Sequence, residues 1–157
     1  MLVFFDDILI YNKSWKEHLE HLEKVLTLLE KHQFYAKKSK CTFGKEEAEY
    51  LGHIISHEGV KVDPNKIKDI MEWTKLVNIS KLRGFLGLTG YYQRFIKNYA
   101  HITTPLTNLL KKNSFQWNEE AGRCFEELKE VMSNAPVLET PDFSKPFIIE
   151  CDVSDSV

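Results

Sequence analysis

Two adjacent aspartates near the start of the chain are the residues whose type and spacing most directly suggest chemistry. Asp6 and Asp7 stand between two apolar runs, residues 2–5 and 8–11. Mg²⁺ takes oxygen ligands, keeps several waters and is commonly completed by substrate phosphates. Two carboxylates at one end of a hairpin therefore indicate a magnesium site, although Asp is also a favoured turn residue for purely structural reasons.

The elements around the two acids are predicted from residue types and periodicity. The flanking runs are β-rich and separated only by the acids, which predicts a tight hairpin with both carboxylates at its tip. Ser14 with Glu17 three residues later forms a capping box, and an apolar stripe follows at helical spacing. This pattern predicts a helix over residues 15–32.

Turn residues and helix signals divide the remainder of the chain. Glycines separate short predicted strands between residues 34 and 62, and Asp63-Pro64 predicts a helix over residues 64–73. Ser80 is predicted to cap the next helix, in which glycines recur every three residues and indicate close helix packing. Further helical segments are predicted over residues 91–98 and 105–111.

The C-terminal part of the chain is predicted to contain one helix and one strand. Asn118 caps an amphipathic helix over residues 119–133, and residues 146–152 form a strand that ends in a carboxylate, Asp152. Together these elements predict an α+β fold. The apolar run at the very start and the strand near the end suggest an excerpt or a truncated product.

Charge is distributed very unevenly along the 157 residues, although the net charge is only −2. Residues 75–117 contain seven Lys or Arg and no Asp or Glu, whereas residues 118–157 contain three and ten. Such segregation usually reflects a partner rather than the fold. The acid-free segment is therefore the first indication of a polyanionic partner, with a solvated helical face as the structural alternative.

Cysteine content and hydropathy limit the compartment. The three cysteines form no disulfide framework and have no zinc spacing, which predicts a reducing, intracellular setting, cytoplasmic or nuclear, with an organelle left open. The opening apolar run is interrupted by acids, so it is no signal sequence, and no run approaches the roughly 20 apolar residues of a membrane span. A soluble protein with no membrane partner is expected.

Four segments, in chain order, resemble gypsy-type LTR retrotransposon polymerases. Residues 4–11, Phe-Phe-Asp-Asp-Ile-Leu-Ile-Tyr, resemble the aromatic-x-Asp-Asp hairpin of the reverse transcriptase palm. Residues 50–56, Tyr-Leu-Gly-His-Ile-Ile-Ser, are similar to the primer-grip hairpin. Residues 82–96 resemble the thumb, and residues 135–147 resemble the connection that leads into ribonuclease H.

This resemblance implies an organisation in three segments. Residues 1–63 would be the C-terminal part of the palm with the primer-grip hairpin, residues 64–117 a helical thumb, and residues 118–157 the connection and first strand of a truncated ribonuclease H-like domain. The implied parent activity is RNA-directed DNA synthesis. A domesticated or remnant module that binds nucleic acid or protein and catalyses nothing is the alternative.

The resemblance also implies incomplete catalytic sites. Asp6 and Asp7 would hold catalytic magnesium together with a third aspartate from a preceding palm strand, and Asp152 would be the first of four ribonuclease H carboxylates. Neither set is complete within the 157 residues, so the isolated chain is expected to be inactive. Mg²⁺ is the cofactor implied for the parent enzyme, which leaves open whether this fragment binds any.

The resemblance gives the acid-free segment a partner, a template–primer duplex of RNA or DNA. Phosphate contacts without base readout predict weak, sequence-independent binding. The implied contact residues are Tyr50, Leu51, Gly52, His53, Lys81, Arg83, Arg94, Lys97, Lys111 and Lys112.

Two further expectations concern aromatic and apolar surfaces. Tyr91, Tyr92, Phe95 and Tyr99 could stack on bases, but their helical spacing favours core packing for Tyr92 and Phe95. The N-terminal hairpin would expose an apolar face and an unpaired edge, which predicts self-association.

Overall fold

Five helices and five strands form the part of the chain that the computed structural model describes, residues 1–74, 76–111, 115–140 and 144–146. The strands belong to two small antiparallel sheets, and four of the helices follow the last strand. The predicted α+β class is confirmed. The elements are β1 Leu2–Phe4, β2 Asp7–Leu9, α1 Trp15–Lys31, β3 Ala48–Tyr50, β4 His53–Ser56, β5 Gly59–Val62, α2 Pro64–Met71, α3 Ile79–Tyr91, α4 Tyr99–Asn108 and α5 Glu119–Ser133.

The N-terminal hairpin is tighter than predicted. Strand β1 pairs with β2 in a register that places Phe4 opposite Asp7, so the turn consists of Phe5 and Asp6 alone. Phe5 has a positive φ of 51°, as the first position of a two-residue turn requires. The prediction that both acids form the tip is therefore wrong for Asp7, which is the first residue of β2.

Helix α1 begins and ends almost where the capping box and periodicity predict. The Ser14 side chain accepts a hydrogen bond from the backbone N–H of Glu17, which fixes the first turn. No residue of α1 is buried, and the whole N-terminal hairpin is likewise exposed or only half-buried. The amphipathic stripe therefore faces no extensive core within the described structure.

The second sheet, with strand order β3-β4-β5, is joined to a segment far along the chain. Val60 of β5 exchanges two backbone hydrogen bonds of 2.8 Å with Leu138, which follows α5. The preceding Gly59 has a φ of +134°, and a Cβ built there would lie 2.2 Å from the Leu138 carbonyl oxygen. Glycine is required at this position by backbone conformation and by close approach.

One hydrophobic core joins the sheet to helices α2–α5. Helix α5 packs against both α4 and α2, so the core crosses residue 117, the predicted boundary between the second and third segments. Asn118 caps α5 as predicted, through a hydrogen bond of 2.8 Å from the backbone N–H of Ala121. The largest fully buried side chains are Tyr92, Phe85, Ile70, Leu76, Leu82, Leu106, Leu128 and Met132.

Two predicted helices begin elsewhere in the structure. The N-cap of α3 is Asn78, whose side chain accepts a hydrogen bond from Lys81 N–H, so Ser80 lies inside the helix. Helix α4 begins at Tyr99 after Asn98 adopts a left-handed conformation with φ 60°, and it contains Pro105 in its interior. The prediction that a helix starts at the proline is wrong, because residues 99–104 are already helical before it.

Other boundaries differ by smaller amounts. Helix α2 ends at Met71, and the predicted helix over residues 91–98 is only a short 3₁₀ turn, Gln93–Phe95. The predicted strand over residues 146–152 lies, except for Pro146, outside the described residues. None of the five helices in the described part of the chain is long and apolar enough to cross a bilayer.

Candidate nucleic-acid interface

The turn between β3 and β4 has a backbone conformation that few sequences adopt. Tyr50 pairs with His53, so Leu51 and Gly52 form a two-residue turn, with φ values of 50° and 71°. Leu pays a steric cost in this left-handed region, of roughly 1–2 kcal/mol, so surrounding contacts must hold the turn. A Cβ at Gly52 would lie 2.9 Å from the Tyr92 hydroxyl oxygen, which leaves no room for a larger residue.

Two tyrosine hydroxyls from the end of α3 supply those contacts. Tyr91 donates a hydrogen bond of 2.8 Å to the Leu51 carbonyl oxygen, and Tyr92 donates one of 2.8 Å to the Gly52 carbonyl oxygen. The Leu51 carbonyl also accepts from Nδ1 of His53 at 2.8 Å. Because a carbonyl only accepts, this contact assigns the proton to Nδ1. Both turn carbonyls are thus anchored on the helix.

The His53 imidazole lies within a cluster of aromatic rings. Its centroid is 5.4 Å from the ring centroids of both Tyr91 and Tyr92, and it stacks on Phe95 at 5.7 Å. Tyr92 and Phe95 are buried, as the helical spacing predicts, whereas Tyr91 is exposed. Burial, with smaller contributions from nearby Tyr91 and Asp63, raises the pKa of the Tyr92 hydroxyl to about 12. Tyr92 therefore stays a hydrogen-bond donor at neutral pH.

The basic side chains of the acid-free segment lie on the surface of the helical bundle. Lys81 and Arg83 belong to α3, Arg94 to the 3₁₀ turn, and Lys97 and Lys111 to the segments flanking α4. All five residues are exposed. The four ion pairs within the described ranges involve none of them and use Lys61, Lys66, Lys68 and Lys129 instead. Lys112 falls outside the described residues.

Asp6, in the turn of the N-terminal hairpin, and Asp7, the first residue of β2, are both exposed. No group of three or more His, Cys, Asp or Glu that could hold a metal occurs among the residues described. The two carboxylates have the donor chemistry that Mg²⁺ takes but form only part of a ligand set. Asp152, the carboxylate of the second predicted site, lies outside the described residues.

Sequence reasoning missed the contact between the two tyrosines and the β3–β4 turn. Forty residues separate each hydroxyl from the carbonyl that it reaches. The only signal was the adjacent tyrosine pair at the end of a helix, where one ring is predicted buried and the next exposed. Neither periodicity nor turn chemistry identifies the partner of such a pair.

Two family models match parts of the chain. Residues 1–55 match the family described as reverse transcriptase (RNA-dependent DNA polymerase). Residues 117–157 match an RNase H-like domain found in reverse transcriptase. The β1–β2 hairpin falls within the first match, and α5 falls within the second.

Curated relatives cover nearly all of the chain. An uncharacterized mitochondrial protein of Arabidopsis thaliana is 52% identical over 132 residues, which are 83% of this chain and 84% of that protein. The Pol polyproteins of transposon 297 and transposon gypsy, both from Drosophila melanogaster, are 40% and 36% identical over 98% of this chain. The chain spans only 15% and 16% of those polyproteins.

Two solved structures with the same fold are of a foamy viral protease-reverse transcriptase. A foamy viral protease-reverse transcriptase in complex with double-stranded DNA is 27% identical with a TM-score of 0.78, over 87% of this chain and 29% of that one. The foamy viral enzyme in complex with an RNA/DNA hybrid is 26% identical with a TM-score of 0.76, over 82% and 18%. The chain therefore belongs to the retrotransposon reverse transcriptase family and corresponds to a segment of its Pol polyproteins.

Proposed function

We propose that this segment holds the template–primer duplex of a reverse transcriptase. The contact surface is formed by the β3–β4 hairpin, with Tyr50, Leu51, Gly52 and His53, and by the exposed cations of the helical bundle. It binds the sugar–phosphate backbone and does not read sequence. The foamy viral relatives that share this fold are complexes with double-stranded DNA and with an RNA/DNA hybrid, which supports a duplex as the partner.

One observation carries the proposal. Lys81, Arg83, Arg94, Lys97 and Lys111 are exposed, and none forms an ion pair with any residue described in the structure. What sets these cations apart from other exposed lysines is their position in residues 75–117, which contain no Asp or Glu, whereas Lys66 and Lys68 lie beside carboxylates on their own helix. Cations without carboxylate neighbours are free to neutralise phosphates, and each phosphate contact releases condensed counterions.

Hydrogen bonds to the hairpin link it to these cations. The Tyr91 and Tyr92 hydroxyls hold the Leu51–Gly52 turn against the end of α3, the helix that carries Lys81 and Arg83. A duplex that lies along α3 therefore meets the hairpin as well.

Among the residues that the structure describes, Asp6 and Asp7 form only part of a polymerase metal site. Asp6 and Asp7 supply carboxylates for Mg²⁺, which in the parent enzyme would activate the primer hydroxyl and stabilise the transferred phosphate. The third carboxylate implied by the resemblance is not among the residues around them. The isolated chain accordingly binds a duplex without extending it, and Asp152 alone cannot support ribonuclease H chemistry.

Duplex affinity across a salt series tests the proposal. A DNA duplex and an RNA/DNA hybrid of equal length should bind weakly, with an affinity that falls steeply with salt and does not depend on sequence. Arg83→Glu with Lys97→Glu should abolish binding. The matched control is Lys66→Glu with Lys68→Glu, which changes the net charge equally but removes cations that pair with Asp69 and Glu72.

The control separates a local contact surface from a general effect of charge. Loss of binding in the Arg83 and Lys97 variant alone supports the proposal. Equal losses in both variants, or no loss in either, would refute the assignment of the helical bundle as the contact surface.

Self-association through the N-terminal hairpin is a second candidate activity, one that suits a domesticated, non-enzymatic module. Phe5 is 88% exposed and Val3 is 57% exposed. The sheet has two strands, β1 and β2, so each has one edge without a strand partner in the described structure. Exposed edges with apolar side chains pair readily with a second copy, and a two-fold contact closes on itself.

A further inference from the structure

We infer that the Tyr91 hydroxyl is a positioning group that fixes the Leu51–Gly52 turn relative to the exposed cations Arg83 and Arg94. The inference rests on the proposed function, because this placement of the turn presents the hairpin and the cations to the same duplex. Tyr91 acts through the Leu51 carbonyl and needs no contact with nucleic acid.

The two tyrosines contribute differently to the same turn. Tyr92 is 1% exposed and belongs to the hydrophobic core, so its ring stabilises the fold as a whole. Tyr91 is 55% exposed, and its hydroxyl reaches out of the core to the Leu51 carbonyl at 2.8 Å. The Tyr91 hydroxyl can therefore be removed with little loss of core packing.

The hydrogen-bond partners of the two carbonyls also differ. The Gly52 carbonyl accepts from Tyr92 and, at 3.4 Å, from the backbone N–H of Asp63. The Leu51 carbonyl accepts from Tyr91 and from His53, which lies only two residues away in the same hairpin. The Tyr91 hydroxyl is consequently the long-range hydrogen-bond donor to the Leu51 carbonyl. Without it, this carbonyl keeps only the local hydrogen bond from His53.

The Tyr91–Leu51 hydrogen bond sets the distance between the β3–β4 turn and the cations of the helical bundle. Arg83 precedes Tyr91 by eight residues on α3, which at 1.5 Å per residue places them about 12 Å apart along the helix axis. Arg94 follows in the adjoining 3₁₀ turn. A turn anchored only through Gly52, by Tyr92 and the Asp63 N–H, would keep this spacing less strictly, and a rigid duplex would engage both sites only at a larger entropic cost.

The first arm of the test uses the full chain without nucleic acid. Tyr91→Phe keeps the ring and removes only the hydroxyl, so amide hydrogen exchange around the turn and the start of β4 should accelerate roughly 3- to 10-fold. Tyr99→Phe is the matched control, because that hydroxyl bonds Thr89 and the Leu86 carbonyl instead of the hairpin. The control should leave exchange at residues 51–54 unchanged.

The second arm measures duplex affinity at several salt concentrations. Tyr91→Phe should weaken binding roughly 3- to 10-fold, the equivalent of one neutral hydrogen bond. It should leave the slope of log affinity against log salt unchanged, because no phosphate contact is lost. Arg83→Gln should instead reduce the steepness of that slope by about 0.9. If the Tyr91 hydroxyl only stabilised the fold, affinity and salt dependence would not change separately in these two variants.

Each outcome is decisive. Faster exchange together with weaker binding at unchanged salt slope supports the inference. Unchanged exchange in Tyr91→Phe would show that the Tyr91 hydroxyl does not hold the Leu51–Gly52 turn. Faster exchange with unchanged affinity would show that holding the turn does not matter for duplex binding. A wild-type chain that binds no duplex refutes the proposed function, and the role of Tyr91 in presenting a duplex falls with it.

Discussion

The Tyr92 hydroxyl donates a hydrogen bond of 2.8 Å to the carbonyl oxygen of Gly52, a residue forty positions earlier in the chain. This contact joins the end of α3 to the turn between β3 and β4. It is also the reason that Gly52 accepts no side chain, since a Cβ there would lie 2.9 Å from the same hydroxyl. The position of the β3–β4 hairpin therefore depends on a helix that is distant from it in the sequence.

Tyr92→Phe should lower the free energy of unfolding by about 1 kcal/mol at neutral pH, the contribution of one buried neutral hydrogen bond. It should also change the response to alkaline pH. Burial raises the pKa of the Tyr92 hydroxyl from 10.0 to about 12 in the folded state. Its contribution to stability is therefore complete below pH 10 and is lost as the pH rises from 10 to 12.

Urea unfolding at pH 8 and pH 11 measures both effects. The wild type should lose more stability between these pH values than Tyr92→Phe, which has no hydroxyl to titrate. Identical losses in the two proteins would show that Tyr92 does not carry the alkaline sensitivity.

Gly59→Ala should destabilise the fold by about 1–3 kcal/mol, because φ of +134° is a backbone region that side chains disfavour. The added Cβ would also meet the Leu138 carbonyl and disturb the bridge to Val60. Gly87→Ala is the matched control, since Gly87 lies within α3 and a Cβ there meets nothing within 4 Å. This control should stabilise the protein by about 0.4–1 kcal/mol.

Urea unfolding of the two glycine variants compares them directly. Effects of opposite sign support the close approach of Leu138 to β5. A neutral or stabilising Gly59→Ala would mean that the segment after α5 does not pair with this strand.

Elements with local signals were predictable from the sequence. Helix α5 has the predicted bounds because its N-cap is local: the Asn118 side chain accepts a hydrogen bond from the N–H of Ala121, three residues later. The start of α4 was not predictable, because it depends on a left-handed Asn98. Pro105 suggested a later start, since proline favours the first turn of a helix.

The candidate site was only partly predictable, because some of its features have local signals and others depend on long-range contacts. The acids of the first hairpin and the residues of the β3–β4 turn were identified by resemblance to family motifs. Phe5 gave no turn signal, because two-residue turns usually carry Asn or Gly at positive φ. The tyrosine contacts to Leu51 and Gly52 arise from tertiary packing, which a single sequence does not encode in its periodicity.

The isolated chain should not extend a primer. Poly-rA with an oligo-dT primer, in Mg²⁺ or Mn²⁺, is a direct assay, and no product above background is expected because Asp6 and Asp7 form only part of a ligand set. Extension that disappears in Asp6→Asn with Asp7→Asn would contradict this prediction and would mean that two carboxylates suffice.

The chain should associate in a concentration-dependent manner through its N-terminal hairpin. Phe5→Lys and Ile8→Lys each place a charge on the exposed apolar surface and should shift sedimentation or light scattering towards the monomer. Tyr35→Lys is the matched control, because Tyr35 is 94% exposed but lies outside the hairpin. A wild type that remains monomeric and soluble at high concentration would rule out this surface as a self-association site.

Hydrogen–deuterium exchange of the chain with and without an RNA/DNA hybrid tests the duplex-binding surface most directly. We expect duplex-dependent protection in two separate regions, residues 49–56 of the β3–β4 hairpin and residues 81–97 of α3 and the following turn. Both protections should disappear together in Arg83→Glu with Lys97→Glu. Protection confined to α1 or the N-terminal hairpin, or no protection at concentrations that saturate binding, would contradict this expectation.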